Sequence, residues 1–258
     1  MFMHPTQEKP TKTPRFVVIL MAGGEGKRMN SNLPKVLHPV LGKPMLVRIL
    51  ETVQKVSPSK ILIVTGKHHS TIQQTLKPIL SKNSNIEFIQ QPSPLGTGNA
   101  IQCCLSSLES DDYVLILNGD MPCIHEETIV QFVNECEDAG LITMNLDEPK
   151  GYGRILKNGK KEFQGIREDK DCTEEEKKIK EVNCGIYYFQ SMILKTYIPK
   201  ITNQNVQNEY YLTDIFDIIN RHEDLEYYVY QIPEENKYQM MGVNTPEELQ
   251  NVEKRLRK

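Results

Sequence analysis

The feature of this sequence that most constrains its fold is a repeated alternation of short apolar runs with longer amphipathic segments. Four apolar runs of strand length begin, in chain order, at Phe16, Lys60, Ile86 and Tyr113. Between successive runs lie segments whose apolar residues recur at helical spacing. Such alternation is typical of βαβ units wound around a parallel sheet. The sequence therefore predicts a doubly wound α/β core, and a length of 258 residues with 38% hydrophobic content fits one domain.

The same spacing locates individual helices in the first half of the chain. We predict helices behind Pro44, which suits a first helical position, over Ser70–Leu80, over Gly96–Leu108 and over about Glu126–Ala139. The last of these leads into the apolar run "LITMNL", which we interpret as a further strand. This half is therefore expected to contribute five strands to the sheet.

The pattern changes near Gly151, where a mixed α+β region begins. The stretch "YGRILKNGKKEFQGI" holds two runs joined by Asn158-Gly159, a dipeptide that favours a hairpin. A strand in "VNCGIYYF", a helix in "YLTDIFDIINRH" and an alternating strand in "LEYYVYQI" follow. The charge run Thr173–Lys180 is interpreted as a solvated helix.

The C-terminal segment carries a helix start signal. Thr245, Pro246 and Glu248 have the spacing of a capping box with proline at the first helical position, which predicts a helix to the end of the chain. We predict a flexible leader over residues 1–14 and one domain over 15–258. Within it we distinguish a first half over 15–150, a second half over 151–245 and the C-terminal helix over 246–258.

Charge and cysteine content exclude several function classes. The formal net charge of −3 gives no overall basic field, so we expect neither a nucleic acid nor a membrane partner. The leader lacks the apolar core of a signal peptide, and no run reaches membrane-spanning length. The six cysteines show no zinc spacing and are interpreted as reduced thiols, which agrees with an expected cytoplasmic location.

A glycine-rich loop follows the first predicted strand, in "ILMAGGEGKRM" (Ile19–Met29). It matches neither the dinucleotide fingerprint nor the P-loop pattern. Its glycines nevertheless allow a sharp turn that presents backbone N–H groups to an anion, and Lys27 and Arg28 add positive charge. The loop alone indicates either a phosphate site or a surface turn with two solvated cations.

Other strand ends add chemistry at the same predicted edge of the sheet. Lys35 follows the glycine-rich loop, "QPSPLGTG" precedes a predicted helix whose N-terminal amides can receive an anion, and "NGDMP" places Asp120 at a strand tip. A carboxylate that faces cationic loops is a suitable ligand for Mg²⁺, which takes one or two protein ligands and keeps the rest for water and substrate. Together these loops predict a site for a metal and phosphates.

At this point the sequence resembles a known family. The stretch "MAGGEGKRMNSNLPKVLHPVLGKPML" is similar to the sugar-1-phosphate nucleotidyltransferases. The segments "QQPSPLGTGNA", "GYGRI", "REDKDCTEEEKKIKEVNCGIYYF", "NVQNEYYLTDIF" and "MGVNTPEEL" fall in order and at similar spacing to the N-acetylglucosamine-1-phosphate uridylyltransferase branch. The resemblance covers nearly everything from Arg15 onward. It implies a Rossmann-like, doubly wound mixed sheet with a hairpin-containing sugar-binding half.

The resemblance also implies an activity and residue roles. The family joins UTP to N-acetylglucosamine 1-phosphate with Mg²⁺ and releases pyrophosphate. The implied catalytic residues are Arg28 and Lys35, and the implied metal ligands are Asp120 and Asn244. The implied nucleotide-binding residues are Ala22, Gly23, Gly24, Gln91, Gly96 and Thr97. The implied sugar-binding residues are Gly153, Glu168, Asn183, Tyr211 and Thr213. Because two polyanions react, cations and positioning suffice, and no general base is expected.

Departures from the family pattern leave the substrate open. Five residues replace the family's usual ones: Lys27 and Cys184 replace threonine, Lys67 histidine, Asn118 tyrosine and Asn208 glycine. We therefore keep another sugar 1-phosphate or nucleotide, and a non-catalytic nucleotide-sugar-binding regulatory protein, as alternatives. The chain ends without the hexapeptide β-helix of the bifunctional enzymes, so a monomer or weak dimer is expected rather than a β-helix trimer.

Overall fold

The computed structural model describes residues 16–80, 85–222, 225 and 227–257. The expected leader over residues 1–14 lies outside this range. No helix in the described residues is long and apolar enough to span a membrane.

Eleven strands and seven α-helices are present in the described residues. The strands are β1 (Phe16–Ala22), β2 (Pro39–Val40), β3 (Lys43–Pro44), β4 (Lys60–Thr65), β5 (Ile86–Gln90), β6 (Tyr113–Asn118), β7 (Ala139–Asn145), β8 (Arg154–Lys157), β9 (Phe163–Arg167), β10 (Glu181–Gln190) and β11 (Tyr227–Gln231). The helices are α1 (Met45–Lys55), α2 (His69–Leu80), α3 (Thr97–Cys104), α4 (Glu126–Glu135), α5 (Ser191–Tyr197), α6 (Asp214–His222) and α7 (Pro246–Leu256).

One large mixed sheet organises the molecule. Its strand order is β11-β7-β10-β6-β1-β4-β5, with the β8–β9 hairpin attached to β10. Strands β5, β4, β1 and β6 are parallel, and β10 runs antiparallel between β6 and β7. The predicted doubly wound mixed sheet is confirmed. β2 and β3 form a separate two-stranded ribbon.

Burial on both faces of the sheet explains the continuous apolar runs in its parallel strands. Along β1, Val18 and Leu20 belong to one buried cluster, whereas Val17 and Ile19 belong to another on the opposite face. Helices α1 and α4 pack on the first face, and α3, α5 and α6 pack on the second. The loops at the carboxyl ends of the strands are left at one edge of this layered core.

Several predicted boundaries differ from the structure. The helix predicted to reach Ala139 ends at Glu135, because Ala139 and Gly140 already pair with β11. The helix predicted over Gly96–Leu108 is α-helical only to Cys104 and ends in a 3₁₀ turn. Helix α6 begins at Asp214, three residues later than predicted, and Pro44 precedes α1 rather than opening it.

The solvated helix that we predicted over the charge run Thr173–Lys180 is much shorter in the structure. The run holds a single 3₁₀ turn, Glu176–Lys178, closed by Thr173 and Glu176. The Thr173 N–H donates to Glu176 Oε2 at 2.7 Å, and the Glu176 N–H donates to Thr173 Oγ1 at 3.2 Å. Because β10 begins at Glu181, the chain must become extended before a second helical turn can form.

Two turn predictions are confirmed. Strands β8 and β9 form the predicted hairpin, which turns at Asn158. The loop is longer than two residues, since the Asn158 N–H bonds to the Glu162 carbonyl oxygen at 3.0 Å. The capping box at α7 is formed by Thr245 and Glu248, with Pro246 as its first helical residue. The six cysteines, all within the described residues, are free thiols.

Candidate active site

Two cavities adjoin at the carboxyl edge of the parallel strands. The larger, of about 540 Å³, lies between the glycine-rich loop after β1 and the loop before α3. The smaller, of about 310 Å³, lies between the end of β6, the bend in β10 and the loop before β8. Met21, Thr97, Asn118 and Asp120 line both cavities, so the two meet at the tips of β1 and β6.

The structure brings most of the predicted nucleotide-binding residues into the larger cavity. Five of the six line it: Gly23, Gly24, Gln91, Gly96 and Thr97. The sixth, Ala22, is buried at the end of β1 and lies outside the lining. Lys35 and Asp120 also line this cavity. This cavity therefore combines glycine backbone with lysine and carboxylate side chains.

Gly96 shapes the wall of this cavity. Its φ of 106° lies in the region that favours glycine, and a Cβ there would stand 2.6 Å from the Tyr210 carbonyl oxygen. The loop is tied to Tyr210 on both sides, because the Tyr210 N–H bonds to Leu95 O at 2.8 Å and the Gly98 N–H bonds to Tyr210 O at 2.7 Å. A larger residue at position 96 would separate these segments.

Gln91 is buried, and its side chain has a fixed orientation. Its amide nitrogen donates to the Gly96 carbonyl at 3.0 Å and to Asn99 Oδ1 at 2.9 Å. Because a backbone carbonyl can only accept, the nitrogen must point toward Gly96. Oε1 lies on the side of Gly23, which also lines the cavity, and accepts no hydrogen bond from the described residues.

The smaller cavity gathers four of the five predicted sugar-binding residues. Gly153, Glu168, Asn183 and Thr213 line it, whereas Tyr211 lies outside its lining. Tyr211 is buried beside the cavity, and burial raises the pKa of its phenol to about 12. Its neighbours Leu212 and Thr213 form the wall instead.

The Asn183 side chain is held at a bulge in β10. Its amide nitrogen donates to the Tyr187 hydroxyl at 2.6 Å, and its Oδ1 accepts from the Gly185 N–H at 3.0 Å. The register shifts between Asn183 and Tyr187, and Gly185 has a φ of 73°. This positive φ favours glycine where β10 passes the tip of β6, and a Cβ at Gly185 would also contact the Asn118 amide.

Glu168 is the acidic group of the smaller cavity. Burial raises the pKa of its carboxyl group, and this outweighs the opposing effect of the Thr213 hydroxyl, which donates to Glu168 Oε1 at 2.8 Å. Nearby acids, Asp171 first among them, raise the pKa further. The group can therefore accept hydrogen bonds from ligand hydroxyls in a partly desolvated wall.

Three predicted residues from distant parts of the chain converge where the cavities meet. The Lys35 ammonium donates to the Asp120 carboxylate and, at 2.9 Å, to Asn244 Oδ1. Lys35 stands in a 3₁₀ turn after Pro34, Asp120 follows β6, and Asn244 precedes α7. The Val243 N–H bonds to the Asp120 carbonyl at 2.9 Å, which fastens the segment before α7 to the strand tip.

The donor atoms of this cluster fit a hard cation. Asp120 and Asn244 direct one carboxylate oxygen and one amide oxygen at the same ammonium group, so both oxygens converge on one cation position. Oxygen ligands of this kind suit Mg²⁺. Among the described residues, no group of three or more His, Cys, Asp or Glu side chains could hold a metal by itself. Substrate oxygens and water would therefore have to complete the coordination.

The two cations of the glycine-rich loop differ in their surroundings. Lys27 pairs with Glu25 at 2.6 Å, and Lys67, another departure from the family pattern, reaches the same carboxylate at 3.2 Å. Arg28 is exposed, has no ionic or hydrogen-bonding partner in the described part of the chain, and lines the smaller cavity. Arg28, rather than Lys27, is thus available to an anion.

Some lining residues were not predicted. Lys150 and Tyr152 line the smaller cavity, and Glu209 lines the larger; Asn118 and Cys184, two of the departures from the family pattern, also line the smaller cavity. Lys150 and Tyr152 could have been predicted from the sequence, because they adjoin the glycines of "GYGRI". Glu209 could not, because it reaches the site through the backbone hydrogen bond between Tyr210 and Leu95. Asn208, which stands where the family usually has glycine, has a φ of 54°, a conformation that asparagine tolerates better than most residues.

Comparison with known proteins identifies relatives across this whole region. Residues 18–167 match the family described as the MobA-like NTP transferase domain. A protein of Acanthamoeba polyphaga mimivirus named probable UDP-N-acetylglucosamine pyrophosphorylase is 44% identical over 244 residues, which cover 93% of this chain and 95% of that protein. The bifunctional protein GlmU of Alkaliphilus metalliredigens is 38% identical over 93% of this chain but is covered over 51% of its own length.

A solved structure supports the same fold. It is that of a protein from Bacillus anthracis described as a glucose-1-phosphate thymidylyltransferase in complex with sucrose, with a TM-score of 0.72 and 20% identity over 94% of this chain and 96% of that chain. The chain spans nearly all of the viral relative and about half of the GlmU relatives that it matches. It belongs to the MobA-like NTP transferase family and is an enzyme that transfers a nucleotidyl group to a sugar 1-phosphate.

Proposed function

We propose that this enzyme transfers the uridylyl group of UTP to N-acetylglucosamine 1-phosphate in the presence of Mg²⁺, forming UDP-N-acetylglucosamine and pyrophosphate. The observation that carries the proposal is the meeting of two cavities at Lys35, Asp120 and Asn244. Two ligands placed in these cavities would meet beside a cation and a metal-binding oxygen pair. The name of the viral relative supports the sugar and the nucleotide.

The larger cavity is proposed to hold the nucleotide. Gly23 and Gly24 would bring backbone N–H groups to the triphosphate, and Gly96 and Thr97 would contact the base at the start of α3. The free Gln91 Oε1 supports uracil, because N3–H of uracil donates a hydrogen bond whereas N3 of cytosine accepts one. Thr97 already accepts from the Leu212 N–H at 2.9 Å, so its hydroxyl proton is available for donation.

The smaller cavity is proposed to hold the sugar phosphate. Glu168, Asn183 and Thr213 offer acceptors and donors that suit ring hydroxyls and an acetamido group. Gly153 presents backbone without a side chain to this cavity, and a Cβ there would meet Ile166 at 2.9 Å. Arg28 at the rim would attract the phosphate of the sugar.

The reaction is proposed to proceed by direct attack of a sugar-phosphate oxygen on the α-phosphorus of UTP, with loss of pyrophosphate. Arg28 and Lys35 would offset the repulsion between the two anions and hold them in line, effects that supply much of the rate enhancement in phosphoryl transfer. When bound at Asp120 and Asn244, Mg²⁺ would neutralise charge on phosphate oxygens. No protein nucleophile and no general base are required.

The test is pyrophosphate release by the purified protein across a substrate panel. UTP with N-acetylglucosamine 1-phosphate and MgCl₂ should give the highest kcat/KM, above CTP, dTTP or glucose 1-phosphate. Asp120→Ala should lower kcat by a factor on the order of 10²–10³, whereas Asp111→Ala, at an exposed aspartate away from the cavities, should not. Preference for another pair would reassign the substrate, and ligand binding without turnover would favour a regulatory protein.

A further inference from the structure

The Lys35 ammonium occupies the position at which the two metal-binding oxygens converge. It contacts the Asp120 carboxylate and lies 2.9 Å from Asn244 Oδ1. Both charged side chains are largely shielded from solvent, with exposures of 14% for Lys35 and 15% for Asp120. In the substrate-free enzyme, the two oxygens are therefore already satisfied by a cation that belongs to the chain.

A divalent metal and this ammonium cannot share the position. Mg²⁺ lies about 2.0–2.1 Å from its oxygen ligands, and Asp120 and Asn244 would then each face two cations a few ångströms apart. In a shielded pocket the repulsion between such cations is strong. A metal can thus bind these oxygens only after the ammonium has moved.

The structure provides a place for the displaced ammonium. Lys35 lines the larger cavity, and it also lines a third cavity of about 230 Å³ together with Gly26, Arg28 and Asn244. Phosphate oxygens in either space would attract the ammonium away from Asp120. The four-carbon side chain of lysine is flexible enough for this movement while the 3₁₀ turn stays in place.

We propose that the Lys35 ammonium occupies the metal position in the nucleotide-free enzyme. It excludes free metal until the phosphates of a nucleotide draw it away. The inference rests on the metal ligands of the proposed function, Asp120 and Asn244. Under this inference, metal binds tightly only when nucleotide is bound. Lys35 contacts the metal ligands before substrate binds and phosphate oxygens afterwards.

The test is titration of the nucleotide-free protein with Mn²⁺. Binding is measured as the loss of the free Mn²⁺ signal in electron paramagnetic resonance. Mn²⁺ uses the same oxygen ligands as Mg²⁺. Lys35→Met should bind Mn²⁺ at least tenfold more tightly than the wild type, although its turnover falls. Lys35→Arg, which keeps the charge, should stay within threefold of the wild type.

Two controls distinguish the effect of vacating the metal position from the effect of losing a positive charge near it. Lys27→Met removes a charge from the same third cavity but from a lysine paired with Glu25, and should leave Mn²⁺ affinity within twofold. Asp120→Asn introduced into Lys35→Met should abolish the gain. If Lys35→Met does not fold, Lys35→Gln, which retains a donor toward Asp120, should show the same direction of change.

The outcomes distinguish this inference from the proposed function. Equal Mn²⁺ affinity in wild type and Lys35→Met, with loss of binding in Asp120→Asn, would overturn the inference and keep the metal site. An equal gain in Lys27→Met would also overturn it, since charge alone would then explain the effect. Absence of Mn²⁺ binding in every variant would overturn both the inference and the proposed metal ligands.

Discussion

At the scale of single residues, the buried carboxyl group of Glu168, which lines the smaller cavity, carries a cost in stability when it is ionised. Burial raises the pKa of its carboxyl group in the folded state. As pH rises, the unfolded chain therefore loses this proton before the folded chain does. The stabilising contribution is complete below the unfolded-state pKa and is lost as pH rises through the folded-state pKa. Above the folded-state pKa, the charged form of Glu168 is thus held at a cost to the stability of the fold.

We predict that Glu168→Gln raises the Tm at pH 8 by a few degrees, since a domain of this size gains roughly 2–4 °C per kcal/mol. The increment should disappear at pH 4, where the wild-type group is protonated. The KM for the sugar phosphate should rise at least tenfold. Calorimetry and steady-state kinetics across this pH range check both effects.

The exposed Glu174→Gln provides the matched control, because that side chain is 86% exposed and should change neither quantity. A Glu168→Gln variant that is less stable than the wild type at pH 8 would contradict the argument from burial. An unchanged KM would remove Glu168 from the proposed sugar site.

Sequence reasoning was strongest for residues whose chemistry is local. The glycine-rich loop, Lys35 and Asp120 follow from residue type and position after a strand. The contact between Lys35 and Asn244 spans 209 positions in the chain and depends on how α7 docks, so spacing alone could not reveal it. Asn244 was assigned only through the family resemblance.

At the scale of elements, the N-terminus of α7 connects a helix cap to the site. Glu248 Oε2 accepts from the Thr245 N–H at 3.0 Å, as a capping box requires, and also from the Asn244 N–H at 2.6 Å. The cap therefore orients the backbone of the residue whose side chain faces Lys35. The sequence predicted this cap, but its role in the site became visible only from the contact to Asn244.

We predict that Glu248→Ala weakens Mn²⁺ binding in the presence of nucleotide by about threefold to tenfold and lowers kcat, because Asn244 loses its backbone anchor. Glu248→Gln should restore most of both quantities, since glutamine also completes a capping box. Thr245→Ala should cost about 1 kcal/mol of stability. Equal damage from Glu248→Gln and Glu248→Ala would indicate that the charge of Glu248, which lines the smaller cavity, matters instead.

Element boundaries were less predictable than element identity, for reasons visible in particular contacts. The helix that we extended to Ala139 stops early because β11, almost ninety residues later, pairs with Ala139 and Gly140. The charge run from Thr173 has helical composition, but its end is constrained by β10. In both places a partner distant in sequence overrides local propensity.

At the scale of the whole molecule, the two halves that we distinguished in the sequence share one sheet. Strand β10, from the second half, pairs with β6 on one side and with β7 on the other, and both of these belong to the first half. The two cavities of the candidate site consequently lie on one continuous framework. The sequence predicted the change of pattern near Gly151, but it could not reveal that the later strand inserts between earlier ones.

This insertion predicts that the chain unfolds as one cooperative unit. Cys104 in the first half and Cys184 in the second are both buried, and burial raises the pKa of each thiol, so neither should react while its surroundings are folded. Pulses of a thiol reagent at increasing urea, read by peptide mass spectrometry in a Cys103→Ser background, should give one midpoint for both. Labelling of Cys184 at clearly lower urea than Cys104 would instead show that the second half opens first. The shared sheet would then not couple the two cavities, and a change in one cavity could leave the affinity of the other unchanged.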